Sequence, residues 1–163
     1  MTTIFRKGDP TVGALLAWWR GLEQDRADRA QLRRCATLLQ VMQTEAFHAA
    51  RRRFIAAGMS DTESRKPRLA SIVGLAAHVK SMTDESFPKT CSLGDKPAVS
   101  PLRFRQILEA ADDDELFTRI RRVLPLVDGR ANVVSLAANV WYWGDAVRKS
   151  WVYEYAWPAK EHA

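Results

Sequence analysis

The chain has 163 residues, enough to bury one good core or two small ones that share an interface. Hydrophobic residues make up 47% and charged residues 27%, a balance that excludes a largely disordered chain. The net charge of +6 comes from 25 basic against 19 acidic residues, and the basic set is skewed, with 18 Arg to 7 Lys.

The opening "MTTIFRKGDP" carries no apolar run behind its basic residues, so no secretory signal is expected. Asp9 then suits a helix cap and Pro10 the first helical position, with Leu15, Trp18 or Trp19, and Leu22 as the apolar stripe. The spacing of Leu32, Cys35, Ala36, Leu39, Met42, Ala46, Ala49 and Ala50 predicts one long second helix, from Asp25 or Asp28 to Gly58. Leu69, Ile72, Val73, Ala76 and Val79 predict a third. Residues 83–100 hold two prolines, a glycine and no periodicity, and are expected to form an ordered crossing loop. A fourth helix starts from Ser100 and Pro101, a fifth at "DDDELF" and ends near Pro125, a sixth spans 131–142, and a seventh runs from Asp145 to Pro158. No useful stretch has strand period. The expected fold is therefore all-α, two small helical-bundle subdomains (three helices in 1–90, four in 91–163) joined by an ordered loop.

The near-apolar stretches "SIVGLAAHV" and "VVSLAANVWYW" are too short to span a bilayer, so no membrane partner is expected. Cys35 and Cys91 have no CxxC spacing and no ligand set, which fits reduced thiols and a cytoplasmic location. Asp112, Asp113 and Asp114 are consecutive, so their carboxylates fan apart; ahead of a helix they read as cap and first-turn acids. His48, His78 and His162 are scattered, with no metal-binding spacing and no glycine-rich phosphate loop nearby. Trp18, Trp19, Trp141, Trp143, Trp151 and Trp157 sit on or beside apolar stripes and read mostly as core. No catalytic set, cofactor, metal site or small-molecule substrate is expected.

The arginines are what local chemistry leaves over. Asp25 and Asp28 suit a helix N-terminus, and Asp25 can pair with Arg29 one turn on. Arg33 and Arg34 have no acid three or four residues away, and Arg51, Arg52 and Arg53 have only Glu45 near. On a single helix, Arg33 and Arg51 would be five full turns apart on one side, separated by about 27 Å, and so would Arg34 and Arg52. Arg103 and Arg105 lie at a helix start, where the macrodipole opposes cations. Glu115 accounts in part for Arg119, whereas Arg121 and Arg122 have no such partner. A solvated basic face explains this pattern, and so does a surface that grips phosphate through planar guanidinium forks.

Three stretches resemble a known family: "LLAWWRGLEQDRADRAQLRRC", "SPLRFRQILEAADDDELFTRIRRVLPLVD" and "VVSLAANVWYWGDAVRKSWVYEYAW". Together they are similar to the CasB family, the small subunit of the type I-E CRISPR surveillance complex, Cascade. The resemblance implies an all-α protein without enzymatic activity, present as two copies that brace the crRNA-bearing backbone subunits beside the large subunit. It also implies help in holding the target and displaced DNA of the R-loop, while a separate nuclease-helicase cuts. The family's basic surface would fall on Arg33, Arg34, Arg103, Arg105, Arg121 and Arg122; relatives carry basic residues where this chain has Glu109 and Asp145. The candidate nucleic-acid-binding set is thus Arg33, Arg34, Arg51, Arg52, Arg103, Arg105, Arg119, Arg121 and Arg122. Two other readings stay open: a helical protein–protein adaptor that touches no nucleic acid, and a helix-turn-helix regulator, which needs a base-reading helix after a short glycine turn.

Overall fold

A computed structural model describes residues 4–61 and 66–159. Helix α1 (Pro10–Gly21) begins as its cap chemistry requires: the Asp9 carboxylate accepts from the Thr11 amide at 3.0 Å, and Pro10 takes the first position. The stretch predicted as one long helix is three: α2 (Arg26–Arg34), α3 (Leu38–Met42) and α4 (Glu45–Ala56). Cys35 turns extended at φ −69°, ψ 120°. Thr37 then caps α3 by accepting from the Gln40 amide, and Thr44 caps α4 by accepting from the Phe47 amide. Threonine hydroxyls that satisfy backbone donors outside the helix compete with helix continuation, and here they win twice. The five-turn register between Arg33 and Arg51 therefore does not exist.

Helix α5 (Lys66–Ala76) is the centre of the molecule. Every residue from Leu69 to Ala76 is buried, so it lacks the polar side of a surface helix. It packs against α3 on one side and, on the other, against α8 (Asp113–Val123) and α9 (Val133–Trp141). Gly74 makes the approach possible: a Cβ there would lie 2.8 Å from the Phe117 ring and 3.1 Å from a Val41 methyl. The presumed crossing loop contains a short helix, α6 (Phe87–Ser92), capped by Ser86 and pinned by the buried Phe87 and Cys91. Helix α7 (Pro101–Leu108) is capped by Ser100, and α8 by Asp112, whose carboxylate accepts from the Glu115 amide at 2.8 Å. These caps fall where the sequence predicts them.

A 3-10 turn (Leu124–Val127) follows α8, and the chain then reverses through Asp128 and Gly129, both left-handed, at φ 56° and 69°. It leads into β2 (Arg130–Ala131), which pairs in parallel with β1 (Ser81–Met82), Ser81 opposite Arg130. Helix α10 (Asp145–Glu154) stops short of Pro158. One continuous core runs from Ile4 to Tyr155 and draws on both halves of the chain. Its C-terminal end is aromatic: Trp151, fully buried, donates its ring N–H to Asn139 and meets Phe87, Phe104 and Trp143. Trp157 departs from the core reading, being 39% exposed. The fold is all-α apart from the two-residue β pair, and no helix among the described residues is long and apolar enough to cross a membrane.

Candidate nucleic-acid interface

The last carbonyls of an α-helix have no partner within it and carry the negative end of its dipole. At the end of α2 a guanidinium from α8 fills that role, with Arg121 Nη2 donating to the Arg33 carbonyl at 3.0 Å. At the end of α5 the same device recurs: Arg29 donates to the Ala77 and Val79 carbonyls at 3.3 and 3.1 Å. Arg29 does not pair with Asp25, as its spacing suggested; Asp25 instead accepts from the Asp28 amide. The junction of α2, α5 and α8 thus gathers Arg29, Arg33 and Arg121 about His78. Burial first, and then the fields of Arg121, Arg33 and Arg29, push the His78 ring down to about 4. Arg121 and Arg34 flank Cys35 as well; burial still pushes that thiol up, against their pull.

A second group lies on the far side of α8. Arg103, Gln106, Arg119 and Arg122 line a groove of about 560 Å³ floored by Val123 and Leu126. Arg119 is committed within the protein, donating to the Gln106 carbonyl and pairing with Glu115 at 3.5 Å. Arg103 and Arg122 are exposed and form no ion pair among the described residues. Since Arg121 and Arg122 are adjacent on α8, that helix links the two groups. Along α2, Arg26, Arg29 and Arg33 line a further open groove of about 600 Å³.

The remaining candidates separate from these. Arg105 places its guanidinium 5.9 Å from the centroid of the Trp157 ring, at the aromatic end of the molecule. Arg51 pairs with Asp61, whose carboxyl this contact pulls below its ordinary value. Arg52 is exposed on α4, and no hydrogen bond, ion pair or shared cavity joins it to the α2–α8 arginines. The sequence reading missed Arg29, Lys80 and His78 as neighbours of Arg33. The one signal for Arg29 is its place a single turn before Arg33 on α2.

The chemistry on offer is anion binding by fixed cations. Among the described residues, no group of three or more His, Cys, Asp or Glu could hold a metal ion. His48 is satisfied locally, with Nε2 2.8 Å from the Met42 carbonyl. The model of the family described as CRISPR-associated protein Cse2 matches residues 28–155. Among solved structures, a chain of E. coli Cascade bound to a PAM-containing dsDNA target is similar in fold, with a TM-score of 0.66. The two are 19% identical, over 86% of this chain and 93% of that one. No curated protein matches by sequence. The matched span runs from within α2 to the end of α10 and holds every arginine of the candidate set, and the chain belongs to the Cse2 family, the family that its sequence resembles under the name CasB.

Proposed function

We propose that this protein is a non-catalytic small subunit of a type I-E CRISPR surveillance complex. In that role it braces the crRNA-bearing backbone beside the large subunit and a second copy of itself, in the cytoplasm. It holds the target and displaced DNA strands of the R-loop by their phosphates. Sequence choice in such complexes belongs to guide–target pairing, so the small subunit needs only sugar-phosphate contacts. The observation that carries this reading is the anchoring of Arg121 on the Arg33 carbonyl, which joins arginines from residues 29–34 to those from 103–122 on one linked body. The contact set is Arg33, Arg34, Arg103 and Arg122, with Arg119 and Arg121 holding the surface in shape and Arg105 at its aromatic edge. Arg51 and Arg52 lie outside it.

The test is filter binding of single- and double-stranded DNA of unrelated sequences across a salt series. Four phosphate contacts give a slope of log affinity against log salt of about −3.6 on duplex, and somewhat shallower on single strands. Equal affinity across sequences is expected. Binding that ignores salt, or no binding to either form by a protein that still joins its partner subunits, would overturn the reading and favour the adaptor.

A further inference from the structure

Between the end of α5 and the reversal after the 3-10 turn lies a cavity of about 130 Å³, lined by Arg33, His78, Lys80, Pro125, Asp128 and Gly129. Its walls are held by backbone contacts. The Lys80 amide donates to the Gly129 carbonyl at 2.7 Å. Gly129 has φ 69°, and a Cβ there would come within 3.0 Å of both the His78 carbonyl oxygen and the Lys80 stem. Only glycine meets both demands. Two polar atoms at this junction, His78 Nε2 and Arg121 Nε, are shut off from solvent and have no hydrogen-bond partner among the described residues. Buried polar atoms are normally satisfied, and His78 belongs to the cavity lining, so its unpartnered ring nitrogen points to a hydrogen-bonding ligand.

We propose that this cavity is a seat for one phosphodiester group of a nucleic-acid strand, gripped by Arg33 and Lys80 and completed by His78. The proposal rests on the nucleic-acid reading above and names the place where one strand contact is fixed. Donors on two separate elements, α2 and the turn after α5, suit the acceptors of a tetrahedral oxyanion, which point in several directions; those of a carboxylate share a plane. Size agrees, since the space exceeds that of several waters at about 30 Å³ each. Charge agrees too. Asp128 offsets one of the two full cations in the lining, so with His78 neutral the wall carries one net positive charge and attracts an anion.

The seat carries its own reporter. His78 is neutral at pH 7 in the free protein because it is partly buried and faces Arg29 and Arg33 from α2, Arg121 from α8 and Lys80 from its own turn, with Asp128 the one acid across the cavity. An anion seated beside it favours the imidazolium, so binding takes up a proton and tightens as pH falls. The experiment follows the ring resonances of His48, His78 and His162 by NMR on the full chain at fixed ionic strength. The probes are a thymidine oligonucleotide without terminal phosphates and, separately, inorganic phosphate. With the oligonucleotide, the His78 midpoint should rise by about one pH unit or more, the scale of an opposite charge within about 4–6 Å. His48 should not move, and Lys80→Ala should shrink the His78 shift while leaving the spectrum otherwise folded. A shift with inorganic phosphate and none with a bound oligonucleotide would overturn the phosphodiester assignment. Salt-dependent oligonucleotide binding with a silent His78 would overturn the seat and leave the wider interface standing. Absence of any oligonucleotide binding would remove both.

Discussion

Arg51 to Arg53 on α4 and Arg119 to Arg122 on α8 read alike as dense arginine runs, yet the fold treats them differently. On α4, Arg51 is spent on Asp61, and Arg52 and Arg53 stand exposed without a structural partner among the described residues. On α8, Arg119 and Arg121 are each fixed on a carbonyl of another helix, and Arg122 is left facing a groove that Arg103 shares. A run of cations becomes a binding surface when some of its members are spent on holding the others in place.

The largest break in this contrast should come from removing what seats α8. Phe117→Ala takes out a fully buried ring packed against Gly74 and should cost about 3–5 kcal/mol by denaturant unfolding, weakening DNA binding with it. Next, Arg103→Ala with Arg122→Ala should flatten the duplex salt slope by about 1.8, the loss of two phosphate contacts. The matched pair Arg52→Ala and Arg53→Ala should leave the slope unchanged, and an equal flattening from it would erase the distinction between the runs. Within α8, Arg121→Ala should lower stability by about 1 kcal/mol through its lost bond to the α2 carbonyl, whereas Arg122→Ala should stay within about 0.5 kcal/mol. A further effect is pH-linked. The folded His78 midpoint, about 4, lies below the ordinary 6.5, so the unfolded chain binds the proton first. The share of stability that depends on neutral His78 is complete above about 6.5 and is lost as pH falls towards 4. His78→Gln should remove that dip from a series of melts.

Much of the fold was legible because cap chemistry is local. Asp9 with Pro10, Ser100 with Pro101, and Asp112 each announce a helix start within a few residues, and each one holds. The breaks at Cys35 and Gln43 were not legible, because the apolar spacing runs through them and a threonine inside a helix looks the same as one about to cap the next. The α6 start had its signal, Ser86 two residues before Pro88, masked by the prolines that made the stretch look like a loop. The site divides in the same way. Arginines lacking a local acid could be read off the spacing, and Arg33, Arg34 and Arg122 came from that test, while Arg103 came from its unfavourable place at a helix start. Which of them meet could not, since the bond from Arg121 to Arg33 spans 88 residues, and Lys80 joins Arg33 across a cavity walled by Gly129. Arg29 was assigned to a nearby acid when its true acceptors lie just past the end of α5, about 50 positions further along.

The segment from Ala77 to Thr83 is mostly irregular, and in most proteins such a stretch opens readily. Here its carbonyls at Ala77 and Val79 take bonds from Arg29 and Trp19, and its amides at Lys80, Ser81 and Thr83 give theirs to Gly129 and Ala131. Those three amides should therefore trade hydrogen for deuterium at the pace of the central helix, through unfolding of the whole molecule. The recess that this segment walls is then like a casting mould, its dimensions settled beforehand.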